Sequence, residues 1–138
     1  MSILASPRFL PRVMTADALS CAATGALQFG LTDMLARLTG LPASLLIGTG
    51  VFLLAYAVLA AWMAARAVPP RRLVGLVIVG NLAWALGGVA LLASDRVAHT
   101  MLGTAWVLVQ AVVVVVLAEL QWMGLRATRT ARGRMAVA

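Results

Sequence analysis

The stretch from Leu102 to Arg126, LGTAWVLVQAVVVVVLAELQWMGLR, constrains this chain more than any other. Its apolar run is interrupted by one amide, Gln110, and one carboxylate, Glu119, before it closes on Trp122 and Arg126. About 20 apolar residues suffice to cross a bilayer as a helix, so the stretch predicts a membrane span. In a soluble protein the run Val112 to Val116 would suggest a strand, but its flanks make it part of a longer helix.

The rest of the chain divides in the same way. Met1 to Val13 holds two prolines and two arginines with little periodicity and predicts a short arm, residues 1–13. Thr15 then suits the cap of a first helix, with Asp17 in its opening turn beside the exposed amides and positive dipole end. Asp17, Ser20, Thr24 and Gln28 share one side of that helix, and Ala18, Ala22, Ala26 and Gly30 a neighbouring side. Small residues let backbones approach and polar groups need partners in hydrocarbon, so this helix is expected to be the most enclosed. Gly40-Leu41-Pro42 reads as a helix stop followed by a helix start. Ala43 to Arg66 has no ionisable group before its last residue and supplies a second span. Pro69-Pro70 breaks the chain, and Arg71-Arg72 open a third span ending near Ala93. The turn Ser94-Asp95-Arg96 leads to the last span from His99.

This reading predicts an all-α integral membrane four-helix bundle over residues 14–126, with spans at about 15–38, 43–66, 71–93 and 99–126, and a basic tail, 127–138. Nine of the eleven arginines fall on the arm, the second-to-third loop and the tail, leaving Arg37 and Arg96 opposite. Positive charge is retained in the cytoplasm, so both termini are expected inside a bacterial inner membrane.

Composition matters here for what it removes. A formal charge of +7 would point to nucleic acid in a soluble chain, but 63% hydrophobic residues and arginines placed beside apolar spans point to topology and anionic lipid. No nucleic-acid partner is expected. Arg126, Arg129, Arg132 and Arg134 form the expected lipid-contacting basic tail. Cys21 is the single cysteine, which excludes an intrachain disulfide and a CxxC site. The short apolar run before it contains Asp17 and is a poor fit to a cleaved signal, so the segment is expected to remain as a helix. His99 beside Met101 makes no convincing haem ligand pair, and no GxSxG, phosphate-binding loop or dinucleotide fingerprint occurs. No catalytic activity, metal or cofactor is expected.

Two polar groups remain. Glu119 lies seven residues before Arg126, about 10 Å inside the end of its helix, where an unpaired carboxylate is costly. Asp17, Ser20 and Thr24 come within reach of it in an antiparallel arrangement and complete a candidate intramembrane polar site. Asn81 and Gln110 fall near the middle of oppositely running helices and are expected to form an interhelical pair. The sequence Trp62-Met63-Ala64-Ala65-Arg66-Ala67 is echoed by Trp122-Met123-Gly124-Leu125-Arg126-Ala127, as expected where inward-running spans end on an interfacial Trp and Arg.

Over residues 13–127 the chain resembles small four-span inner-membrane proteins of high-GC bacteria. The resemblance rests on Ala16-Asp17-Ala18, Ala23-Thr24-Gly25, Gly40-Leu41-Pro42-Ala43, Tyr56-Ala57, Asn81 with Trp84, Gln110-Ala111, Ala118-Glu119-Leu120 and Gly124-Leu125-Arg126. It implies a topology rather than an activity. Several small-residue edges and too few polar groups for an evident pathway give the expected role, a noncatalytic subunit that self-associates or joins a membrane complex, with a proton-linked transporter or channel using Glu119 as the alternative.

Overall fold

The computed structural model describes residues 6, 8–94 and 96–137, with side chains up to residue 127. Five helices follow one another: α1 Phe9–Gly30, α2 Thr32–Thr39, α3 Ala43–Ala64, α4 Arg71–Ala93 and α5 Met101–Val137. Three of them, α3, α4 and α5 over Met101–Ala127, are long and apolar enough to cross a membrane, and the protein is a small multi-pass helical membrane protein.

α1 is 22 residues long but is not in that set, because Arg12, Asp17 and Gln28 dilute its apolar residues. This corrects the expected four-span bundle. Three spans, being odd in number, also do not return a chain to its starting side, so the expectation of both termini in the cytoplasm of an inner membrane is overturned.

The helices form an open arc rather than a closed bundle. α1 packs along α3, α1 also packs on α5, and α5 packs along α4. Among the described residues α3 and α4 make no direct backbone approach, although only the loop 65–70 separates them in sequence. Near that loop side chains bridge the gap, with Met63 of α3 and Val77 of α4 buried in one cluster with Met14 and Ala18. Further along, the rings of Phe52 and Trp84 stack across it, 5.7 Å between centroids and 8° from parallel.

Local chemistry explains the helix boundaries. α1 begins at Phe9, six residues before the expected cap at Thr15, since Pro11 falls in the first turn where a missing N–H costs nothing. Thr15 instead donates its hydroxyl back to the Pro11 carbonyl at 3.0 Å. Asp17 is therefore past the first turn, and its expected place beside the helix-start amides is replaced by burial. The α1 to α3 contact depends on Gly25, whose absent Cβ would lie 2.8 Å from the Gly50 carbonyl oxygen.

α1 ends at Leu31, and Gly40, at φ 74°, ends α2 in the left-handed region that only glycine enters cheaply. Pro42 and Pro70 precede α3 and α4 as their caps. The end of α2 is tied to the start of α5, because Thr100 donates its backbone N–H to Thr39 O at 2.9 Å and its hydroxyl to Leu38 O at 2.6 Å. The same hydroxyl caps α5 by accepting the Gly103 N–H at 3.1 Å.

Candidate functional site

Asp17 is fully buried at the crossing of all four long helices. Its Oδ2 accepts the Tyr56 phenol from α3 at 2.7 Å, the Gln121 amide from α5 at 2.7 Å and the Asn81 amide from α4 at 3.3 Å. The Cys21 thiol donates to Oδ1 at 3.6 Å. Asn81 also donates to the Gln121 amide oxygen at 3.3 Å, and the Gln121 amide reaches Met14 Sδ at 3.7 Å. Every group facing the carboxylate is a donor, which is the surrounding a lone buried acid requires when no arginine pairs with it among the described residues. A buried carboxyl group needs its oxygens hydrogen-bonded, and donors held in place by four packed helices meet that need.

The structure places the expected site residues differently. Glu119 is exposed, one position round the helix from buried Ala118, and does not join Asp17. Ser20 donates to the Asp17 backbone carbonyl at 2.9 Å rather than to a carboxylate, and Thr24 is half-buried nearby. Asn81 bonds to Asp17 and Gln121 instead of Gln110. The residue that sequence reasoning passed over is Gln121. Its signal was available: it follows Ala111, Val114 and Ala118 on the inward stripe of α5, all of them buried.

Arg126 stands 4.7 Å over the Trp122 ring, and Arg66 stands 4.0 Å over Trp62, so the repeated Trp and Arg ends share one cation–π geometry. Arg71, which opens α4, donates to the Leu125 carbonyl of α5 at 3.2 Å. The backbone of the expected basic tail continues α5, while the side chains of Arg129, Arg132 and Arg134 lie outside the described residues, as does Asp95.

The gap between α3 and α4 is a cavity of about 910 Å³, closed at the back by α1 and α5. It runs from Leu45 to Leu59 along α3, about 20 Å at 1.5 Å per residue. Gly80, Ala83 and Gly87, a small-residue edge of the kind that packs helices together, line this space instead. Tyr56, Asn81 and Cys21 present the polar knot to it from one side. Gln28, Thr49, Trp106 and Gln110 bring a second polar group to its wall.

Comparison with protein families, curated proteins and solved structures finds no match. The expected resemblance to four-span inner-membrane proteins is therefore not upheld, and five helices with three candidate spans also depart from that pattern.

Proposed function

We propose that this protein is a noncatalytic membrane component that takes a bilayer-soluble molecule sideways into the cavity between α3 and α4. One observation carries the reading: an apolar space of about 910 Å³ lies between two membrane-length helices, in the volume range of small-molecule sites. The knot at Asp17 supports it by holding α3 and α4 to the common α1–α5 wall without drawing their backbones together. Glu119, exposed and apart from the knot, gives no support to a proton pathway.

The test is extraction of the protein in polymer-bounded native membrane particles, followed by quantification of copurifying chain-bearing molecules. The wild type should retain one such species above the bulk lipid ratio, and Gly80→Leu with Gly87→Leu should lose it while remaining folded. Equal lipid content in both proteins would overturn the reading.

Self-association is a second reading, favoured by the open space beside Gly75, Gly80 and Gly87 on α4, where a helix of another copy has room to approach. Native mass spectrometry separates the two, since a dimer that survives removal of small molecules supports the second alone.

A further inference from the structure

The two polar groups on the cavity wall differ in one respect. The knot around Asp17 is internally satisfied, whereas the second group has donors to spare. Trp106 Nε1 is buried without a hydrogen-bond partner. Gln28 is 3% exposed, and its amide oxygen accepts the Thr49 hydroxyl at 3.0 Å, which leaves its NH2 unpartnered among the described residues. Gln110, one helical turn beyond Trp106 on the same face, is likewise unpartnered among them. A buried donor is costly to leave unmet, so Trp106 Nε1, with the half-buried Gln110 amide and the Gln28 amide lining the same space, calls for an acceptor there.

The surroundings narrow what that acceptor is. Among the described residues no Asp, Glu, Arg or Lys lines the cavity, which suits an uncharged head. The donors come from the two helices of the back wall, Gln28 on α1 and Trp106 with Gln110 on α5, so the head offers more than one acceptor. Trp106 and Gln110 lie five and nine residues into α5, about 7–14 Å along it, which is inside the hydrocarbon and below the level of lipid headgroups. An ester lipid would have to sink to reach them. A small flat dicarbonyl ring carried on a chain would not. The remaining length of the cavity, toward Leu73 and Leu76, passes the internally bonded Tyr56 and Asn81 and is otherwise apolar, which suits the chain.

We propose that the cavity binds a chain-bearing quinone, its ring carbonyls accepting from Trp106, Gln110 and Gln28 and its tail lying between α3 and α4. This rests on the reading that the cavity admits a bilayer molecule. The full-length protein in detergent is titrated with decylbenzoquinone, decylbenzene and dioctanoylglycerol, and bound masses are read by native mass spectrometry. The wild type should prefer the quinone to decylbenzene by about tenfold, the scale of one net hydrogen bond. Trp106→Phe with Gln110→Leu should remove that preference and keep decylbenzene binding. If the pair does not fold, Gln110→Leu alone, at a half-buried residue, should lower the preference at least threefold. Equal binding of quinone and decylbenzene by the wild type overturns the head assignment and leaves the lateral cavity standing. Preference for dioctanoylglycerol overturns the quinone class. Binding of none of the three overturns both this inference and the function on which it rests.

Discussion

The phenol of Tyr56 donates a 2.7 Å hydrogen bond to Asp17 Oδ2, joining α3 to α1 at a carboxylate with no solvent exposure. The bond sets which side of α1 faces inward. Asp17, Cys21 and Gln28 turn toward the centre with it, and Leu19 and Phe29 turn out. Asn81 and Gln121 reach the same acid from the other arm of the arc, so one side chain fixes the register of four helices.

Asp17→Ala should therefore be the most damaging polar substitution. It removes the acceptor shared by Tyr56, Gln121, Asn81 and Cys21, of which Asn81 keeps its bond to the Gln121 amide oxygen, and a buried donor left unpaired costs about 1–3 kcal/mol. Bonds of this type in membrane proteins average about 0.6 kcal/mol, so a combined loss of about 2–4 kcal/mol is expected. Unfolding by SDS titration in mixed micelles measures it. A loss below about 1 kcal/mol would show the knot to be dispensable.

Tyr56→Phe removes one donor and keeps the ring. The expected loss is about 1 kcal/mol, and a double-mutant cycle with Asp17→Asn should show coupling of about 0.5 kcal/mol or more. Additive effects would place the phenol outside the knot.

Glu119→Gln should change stability by less than about 0.5 kcal/mol, as expected for an exposed side chain outside any network. Proton leak in reconstituted vesicles should match that of the native protein. A clear drop in leak would restore the carboxylate to a pathway.

Gly25→Ala and Gly30→Ala should differ in sign. A methyl at Gly25 meets backbone at Gly50 and is expected to cost about 1–3 kcal/mol through overpacking. At Gly30 nothing lies within 4 Å, and alanine's better helix propensity should give a gain of up to about 1 kcal/mol. Parallel SDS unfolding of the two variants compares them directly, and equal effects would contradict the close approach of α1 and α3.

Much of the architecture was legible along the chain. The apolar runs located α3, α4 and the start of α5 to within a few residues, although α5 runs on to Val137 past the expected end at Arg126, and the prolines and Gly40 marked the breaks. Asn81 stood out as a polar group near mid-span and Asp17 as an acid near a helix start, but their meeting point did not. Gln110 and Asn81 have similar depths, and depth alone pairs them; rotation about each helix axis sends Asn81 to Asp17 and Gln110 to the cavity wall. Glu119 attracted attention as a charge, yet a charge two residues from Gln121 faces elsewhere on a helix turning 100° per residue.

Hydropathy and helix punctuation are local properties, so the sequence by itself determined that this chain is helical and membrane-embedded, while its fourth expected span, over 15–38, was not upheld. Which small-residue edges pack and which stand open depends on how the helices are arranged, and only the tertiary structure decided that. Gly25 closes α1 on α3 because Gly50 faces it, while Gly80 and Gly87 have no helix opposite and wall a cavity. The same residue type thus serves contact in one place and space in the other, according to what the arc of helices sets against it.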